Sequence, residues 1–319
     1  MWYLLDSSIQ LFILLEPQCG SSQQFIMNLV SGSTAKYWMS TCIIFAELDM
    51  NTTQIRQALN FFYDNGDKRI RDKLFMGNPY AIVFCYLFYV LFIKKILPKF
   101  MEKRDPIDYS KFMFYTDSIL CLRSFYFLIN GAYMWFFLYN WVCQPKELSD
   151  SWLSNYEVRI CHEFTVSVFI YTLQSVVFVM CKKSTPVATY LLIHHTIFPI
   201  MLWTGANFYP GGHGTFAGFI NAIVHFSVTA MRIITTIFPK SDLKKYRKMI
   251  DVNLHIFQFL VIIAHASQLF FQPNCDVPAG FGVCEIIGAL IIAVIYNRYV
   301  INASERKKDY PKLELVRTS

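Results

Sequence analysis

The sequence predicts an all-α membrane protein, a seven-transmembrane-helix bundle that forms a single domain. Of its 319 residues, 55% are hydrophobic and only 16% are charged, whereas a soluble domain carries nearer a quarter charged residues. Seven apolar segments have about the 20 residues that a helix needs to cross a bilayer. The formal net charge of +7 comes from short basic clusters between these segments. Membrane topology accounts for such clusters, so nucleic-acid binding is not indicated.

The seven apolar segments follow one another from residue 79 to residue 301. They are predicted near residues 79–97, 112–142, 165–181, 187–204, 215–238, 254–271 and 281–301. The second is long for one crossing and contains Asp117 and Arg123, and several polar residues interrupt the third. We interpret residues 1–76 as a divergent N-terminal region, residues 77–303 as the membrane domain and residues 304–319 as a basic tail.

The charges of the connecting loops predict the orientation. Lysine and arginine are concentrated in the first, third and fifth loops and in the C-terminal tail, whereas the fourth and sixth loops contain neither. By the positive-inside rule, the odd loops and the C-terminus are cytosolic and the N-terminus is lumenal or extracellular. One cluster disagrees with this orientation, because it precedes the first segment on the predicted outer side: Lys68, Arg69, Arg71 and Lys73.

Two modifications follow from this orientation. Asn51 begins the glycosylation sequon Asn51-Thr52-Thr53 on the predicted lumenal side, so we expect it to be glycosylated. Cys143 and Cys275 both fall at predicted lumenal ends of segments, where disulfides persist, and we expect them to pair. Cys161 and Cys284 are competing partners.

Histidines inside the fourth and fifth segments are the main candidate functional residues. His194 and His195 lie in the fourth segment, and Asn221 and His225 are four apart in the fifth, on one helix face. Imidazoles inside a bilayer are costly and usually functional. The structural alternative is that they only form hydrogen bonds between helices. His194 is predicted about 10 Å and His225 about 20 Å from the cytosolic side, a depth that suits a substrate with a polar head and a long apolar part.

These elements resemble the fatty acid elongases, the very-long-chain 3-oxoacyl-CoA synthases, from about residue 96 to residue 308. His194 and His195 match the end of the family's HxxHH box, and Asn221 with His225 matches its NxxxH element. Further matches are the basic loop 97–106, Cys143-Gln144-Pro145, Lys182 with Lys183, Trp203, Pro210-Gly211-Gly212-His213, Gln258-Phe259 and Tyr296-Asn297-Arg298-Tyr299.

The chain also departs from the family pattern. Leu191 stands at the first histidine of the box. The charged KxxExxDT element is replaced by Val168, Tyr171, Gln174 and Ser175. Val252 and His255 occupy the first two positions of TxxQxxQF, and residues 228–232, which end at Arg232, replace a tyrosine-rich element.

The resemblance implies the condensation of malonyl-CoA with a long-chain acyl-CoA to a 3-oxoacyl-CoA at the endoplasmic reticulum. His194 is then the acyl acceptor, with His225, Asn221 and His195 as catalytic partners in the site. The candidate substrate-binding residues are Lys182, Lys183, Arg232 and Gln258, and the alternative for Arg232 is a side chain that snorkels toward the cytosolic surface. The bundle is expected to enclose an acyl-chain tunnel and to need no metal or cofactor beyond its two CoA substrates. Expected partners are membrane lipid, a homo- or heterodimer and other elongation-cycle enzymes.

Three alternatives remain at the level of sequence. An inactive relative would bind acyl-CoA or lipid, or partner an active elongase, and the loss of the acidic motif favours it. A seven-span receptor shares the predicted outside N-terminus, but intramembrane histidine pairs and short loops argue against it. A di-iron desaturase uses many histidines in several boxes, whereas this chain has seven, of which His162, His213 and His265 lie toward the predicted lumenal side.

Overall fold

The computed structural model describes residues 52–182 and 185–301. These residues form helices and contain no β-strand. Seven of the helices are long and apolar enough to cross a membrane, which confirms the predicted all-α, seven-span class. We call them spans 1 to 7: Pro79–Met101, Tyr109–Leu138, Trp152–Met180, Pro186–Phe208, Gly212–Ile237, Leu243–Phe271 and Ala279–Ile301. Two helices precede them, Thr52–Asn65 and Lys68–Arg71.

Spans 3 and 6 begin earlier than the predicted segments. Span 3 starts at Trp152 instead of residue 165, after Ser151, whose side chain accepts a hydrogen bond from the backbone N–H of Ser154. Span 6 starts at Leu243 instead of residue 254 and includes an exposed basic turn. Charged residues do not end a helix that projects beyond a bilayer, so hydropathy located only the apolar part of each helix.

Spans 2 to 7 form a closed ring. Span 2 packs against span 5, span 5 against span 6, span 6 against span 7, span 7 against span 4, span 4 against span 3, and span 3 against span 2. Span 1 packs on the outside of the ring, against span 3. The approach of spans 2 and 5 depends on Gly131, because a Cβ atom there would lie 2.6 Å from Cδ2 of Phe219. The expected acyl-chain tunnel stays a prediction.

A 3₁₀ turn, Val168–Tyr171, interrupts span 3 midway along its length. Mid-helix 3₁₀ segments often mark functional positions. This one covers two of the positions at which the chain departs from the charged elongase element. Spans 1, 2 and 7 contain π-helical segments, at Phe92–Ile96, Met134–Leu138 and Asn297–Ile301.

We call the side of the bundle at which span 2 ends and span 3 begins the disulfide end. Here Cys143 and Cys275 form a disulfide with Cα atoms 5.8 Å apart, which is the predicted pairing, and neither Cys161 nor Cys284 takes part in it. The opposite side, where span 5 ends and span 6 begins, is the basic end.

The loop 139–151 joins the other loops of the disulfide end. Besides its disulfide to the loop after span 6, its Gln144 carbonyl accepts a hydrogen bond from the His213 N–H at 2.7 Å. Gly212, with φ of +58°, permits this approach, because a Cβ there would lie 2.7 Å from that carbonyl oxygen. The Lys146 side chain binds Asp67 and the Phe208 carbonyl.

The segment before span 1 belongs to this end of the bundle. Ile70 and Met76 are buried, so the described part of the predicted N-terminal region packs on the membrane domain rather than apart from it. Arg69 binds the Asp67 carboxylate, the Ser154 hydroxyl and the Glu147 carbonyl. Asp67 therefore neutralises part of the basic cluster that disagreed with the predicted orientation. The predicted glycosylation site Asn51 lies outside the described residues.

Candidate functional site

Histidines from three spans converge inside the ring of helices. His194 lies eight residues after Pro186, the first residue of span 4, or about 12 Å inside the basic end. His225 lies twelve residues before Ile237, the last residue of span 5, or about 18 Å inside the same end. His255 of span 6 contacts His225, with ring centroids 6.0 Å apart. The predicted convergence of His194, His195 and His225 is present, and it includes a fourth imidazole.

Seven aromatic side chains from spans 3 to 7 form a closed circuit of ring contacts, with successive centroids 4.7 to 6.2 Å apart. In order they are His194, Tyr190, Tyr296, His255, His225, Tyr171 and His195, which contacts His194 again. We call this set the aromatic circuit. It brings four imidazoles and three phenols to one level of the bundle.

Of the two adjacent imidazoles, His194 and His195, His194 is the less constrained. Its ring stacks between Tyr190 and Phe198, with centroids 5.4 and 5.2 Å away. Its Nδ1 atom is buried and has no hydrogen-bond partner among the described residues. Packing therefore holds the ring while one nitrogen stays uncommitted, which suits a neutral nucleophile.

His195, by contrast, is held by a hydrogen bond. Its Nδ1 lies 3.0 Å from Oγ of Ser175, and its ring stacks on Tyr171. The side chain is only 4% exposed. Ser175 and Tyr171 are both positions at which the charged family element is replaced. Span 3 therefore supports the circuit with uncharged groups.

Two amides lie one turn from the circuit, toward the disulfide end. Asn221 is four residues before His225 on span 5, and Gln258 is three residues after His255 on span 6, which packs on span 5 in the opposite direction. Both side chains are buried, and their side-chain oxygens have no hydrogen-bond partner among the described residues. Buried amides are normally satisfied, so this pair is chemically suited to bind a polar group of a substrate.

A buried arginine in span 2 fixes the tyrosine of span 3. Arg123 donates from Nη1 to the Tyr171 hydroxyl and from Nε to Oγ of Ser167, both at 2.7 Å. Its guanidinium also lies over the Tyr171 ring, 4.5 Å from the centroid. No carboxylate pairs with Arg123 in the part of the chain that the structure describes. Sequence reasoning noted this charge without a role; its place in an apolar segment was the available signal.

The residues predicted to bind substrate are spread along the bundle. Arg232 forms an ion pair with Asp117 of span 2, Nε to Oδ1 3.5 Å, and Gln174 of span 3 donates to the same oxygen at 3.4 Å. This cluster lies outside the circuit, toward the basic end. Lys182 lies at the basic end itself and donates to the Glu102 carbonyl at 3.3 Å. Lys183 lies outside the described residues.

A carboxylate and a histidine are paired one turn apart on span 6. Nδ1 of His255 lies 3.0 Å from Oδ1 of Asp251 and 2.8 Å from the Asp251 backbone carbonyl. Sequence reasoning named His255 only as a departure from the family pattern and passed over Asp251. Their spacing of four residues on one helix was the signal that could have found the pair.

The remaining described histidines lie toward the disulfide end. The rings of His213 and His265 stack with centroids 4.0 Å apart, beside Trp135. His162 binds the Leu74 carbonyl. Among residues 52–182 and 185–301, no group of three or more His, Cys, Asp or Glu side chains is arranged to hold a metal ion.

Comparison with known proteins identifies the family. The chain is 29% identical to very long chain fatty acid elongase 7 of Drosophila melanogaster over 263 residues, 78% of this chain and 80% of that protein. It is 30% identical to very long chain fatty acid elongase 1 of Mus musculus over 226 residues, 69% of this chain and 80% of that protein. Human very long chain fatty acid elongase 4 is 25% identical over 271 residues. The family pattern ELO: GNS1/SUR4 matches residues 74–311, and the chain therefore belongs to the ELO (GNS1/SUR4) family.

Proposed function

We propose that this protein elongates fatty acids by catalysing the condensing step. Malonyl-CoA and a long-chain acyl-CoA would give a 3-oxoacyl-CoA, free CoA and CO₂. The observation that carries this proposal is the aromatic circuit, in which His194 presents an uncommitted imidazole nitrogen about 12 Å inside the bundle. Membership of a family whose relatives are named fatty acid elongases supports it.

In the first half-reaction, a nitrogen of His194 attacks the thioester carbonyl of the acyl-CoA. The C–S bond breaks and the acyl group is bound to the imidazole, while the imidazole N–H proton ends on the sulfur of the departing CoA. Imidazole suits this role because it is neutral and nucleophilic near pH 7. Asn221 and His225 would stabilise the negative charge that develops on the carbonyl oxygen.

In the second half-reaction, malonyl-CoA loses CO₂ and leaves an enolate. Its carbon attacks the acyl carbonyl, the bond between that carbonyl and His194 breaks, and the 3-oxoacyl-CoA is released. An apolar, water-poor site protects the acyl-imidazole and the enolate from premature reaction with water. The side-chain amide N–H groups of the two buried residues Asn221 and Gln258 would donate hydrogen bonds to thioester oxygens.

We further propose that the protein lies in the endoplasmic reticulum membrane with its basic end in the cytosol. This orientation would put Lys182, at the basic end, where the phosphates of CoA arrive. The ion pair of Arg232 with Asp117 would then lie between the surface and the circuit. The acyl chain would extend from the circuit toward the disulfide end, through the expected tunnel.

A second candidate is an inactive relative that binds acyl-CoA or pairs with an active elongase. The uncharged residues Tyr171, Gln174 and Ser175, which span 3 carries in place of the charged family element, favour it. Purified protein assayed with radiolabelled malonyl-CoA over a series of acyl-CoA chain lengths distinguishes the two. Formation of 3-oxoacyl-CoA by wild type and not by His194→Ala supports the condensing enzyme. Tight acyl-CoA binding without product supports the inactive relative.

A further inference from the structure

We propose that Asp251 and His255 form a dyad that delivers the proton consumed in each condensation, an inference that rests on the proposed function. The condensation is not proton-neutral. An acyl-CoA, the malonyl-CoA carboxylate and one proton give 3-oxoacyl-CoA, CoA thiol and CO₂. The proton must therefore reach a site enclosed by six helices, from a group that exchanges with the medium.

The hydrogen bonds of His255 determine which of its two ring nitrogens can transfer a proton. Both partners of Nδ1, the Asp251 carboxylate and the Asp251 backbone carbonyl, are acceptors. Nδ1 must therefore carry a hydrogen. Nε2 is left as the position that gains and loses a proton, and no hydrogen bond to it is present among the described residues. A carboxylate on the other nitrogen fixes the tautomer and the orientation of an imidazole, as in catalytic Asp–His pairs.

The two side chains of the dyad differ in how far they are exposed. The Asp251 side chain is 37% exposed, that of His255 only 14%. Asp251 lies eight residues, or about 12 Å, inside the start of span 6, and His255 lies one turn deeper. The pair therefore extends from the accessible basic end to the aromatic circuit. Tyr296 of span 7 stacks on the His255 ring at 5.0 Å and fixes its plane.

His225 is the imidazole that receives the proton. It is the circuit histidine in ring contact with His255, at 6.0 Å.

The proton transfer belongs to the second half-reaction. When the enolate carbon forms its bond to the acyl carbon, the C–N bond to His194 breaks and its electron pair leaves on the imidazole nitrogen. His225 supplies a proton to that nitrogen, and the N–H bond at Nε2 of His255 breaks to replace the proton on His225. His255 then regains a proton from the medium. The formation of the acyl adduct needs no net proton and does not depend on the dyad.

The test separates the two half-reactions in full-length protein in lipid nanodiscs. Acyl-adduct formation is measured by intact mass with acyl-CoA alone, and product formation with malonyl-CoA added. We expect His255→Ala still to form the adduct and to form product about 10²-fold more slowly than wild type. Asp251→Asn should slow product formation about tenfold, because the imidazole is retained without its carboxylate. Asn253→Ala, an exposed change on the same helix, is the matched control and should equal wild type.

Chemical rescue distinguishes proton transfer from a structural effect. Added imidazole should restore product formation to His255→Ala and should leave His194→Ala inactive. If His255→Ala forms product as fast as wild type, or if imidazole gives it no increase, the dyad inference is overturned and the proposed function stands. A wild type that forms neither adduct nor product overturns both.

Discussion

The hydroxyl group of Tyr171 lies 2.7 Å from Nη1 of Arg123, and the ring of the same tyrosine lies 4.7 Å from that of His225. One side chain of span 3 therefore connects a buried cation of span 2 to the circuit histidine of span 5. In the elongase pattern, this position is acidic and would meet the arginine with a charge. Here a neutral phenol meets it, and the arginine keeps its charge without a paired carboxylate in the described residues.

Removal of the Tyr171 hydroxyl should destabilise the protein. Tyr171→Phe keeps the ring contacts but leaves a buried guanidinium N–H without an acceptor, which costs about 1–3 kcal/mol. Thermal unfolding in one detergent measures the effect. Tyr115→Phe removes a hydroxyl from a 65% exposed side chain of span 2 and is the matched control. Equal unfolding temperatures for the two variants would contradict the buried hydrogen bond.

Alanine substitutions at the candidate catalytic residues should slow elongation by different amounts. His194→Ala should abolish elongation while the protein stays folded, because no other group replaces a missing nucleophile. Loss of a single polarising donor in His225→Ala or Asn221→Ala should slow the rate by about 10²–10³. His195→Ala should have an intermediate effect, since His195 is held by Ser175. The measurement is the elongation rate with radiolabelled malonyl-CoA.

Retention of more than a tenth of the activity in His194→Ala would exclude His194 as the acceptor, and His225 would become the next candidate. If neither wild type nor any of these variants shows turnover, the inactive relative is favoured. Intact-mass detection of an acyl adduct on wild type, and its absence in His194→Ala, separates these outcomes directly.

Loss of the disulfide should loosen the loops at its end of the bundle. Cys143→Ser with Cys275→Ser removes a bond that closes a loop of 132 residues in sequence, and we expect a loss of about 2–5 kcal/mol. Unfolding under non-reducing conditions measures it. Cys85→Ser, a half-buried cysteine of span 1 outside any disulfide, should unfold like wild type. The double variant has no such disulfide to reduce, so a reductant should lower the stability of wild type more. An equal loss of stability in both proteins would argue against this account.

The Asp67 carboxylate should make the free energy of unfolding depend on pH in the acid range. Burial alone would raise the pKa of this carboxyl, but hydrogen bonds from Arg69 and Lys146 and the charge of Lys146 lower the pKa to about 2. The contribution is therefore complete above the ordinary pKa of 3.8 and is lost as the pH falls from there toward about 2. We expect about 1–2 kcal/mol, because solvent screens part of the pair. Urea unfolding of wild type and Asp67→Asn should differ at pH 5 and converge near pH 2. A difference that persists at the lowest pH would contradict this origin.

The proposed orientation is tested by glycosylation. Asn51 should carry a glycan, and Asn302, which begins a second sequon near the basic tail, should not. Endoglycosidase treatment of microsomes should shift wild type and leave Asn51→Gln unchanged in mobility. Asn302→Gln serves as the control and should shift like wild type. A shift that requires Asn302 would reverse the orientation.

The sequence alone was sufficient to predict the features that depend on a single helix. Apolar length identified seven spans, and the four-residue spacing of Asn221 and His225 placed both on one face of span 5. The contacts of Tyr171 and Arg123 depend instead on which spans are neighbours. The order 2, 5, 6, 7, 4, 3 does not follow from hydropathy, because lipid-facing and helix-facing residues in a membrane are both apolar. The starts of spans 3 and 6 were missed for a related reason, since those helices continue into polar surroundings.

The loop 139–151 also determines where the bundle can widen. It is bonded to the segment before span 1, to the first turn of span 5, and to the loop after span 6, so the span ends near it are held together. Span 5 has 26 residues and is about 39 Å long. A tilt of about 5° around its tied end would move its other end by about 3 Å and His225 by about half as much. Entry of a chain-bearing substrate at the basic end would therefore displace the circuit histidine of span 5 only about half as far as the end of that span.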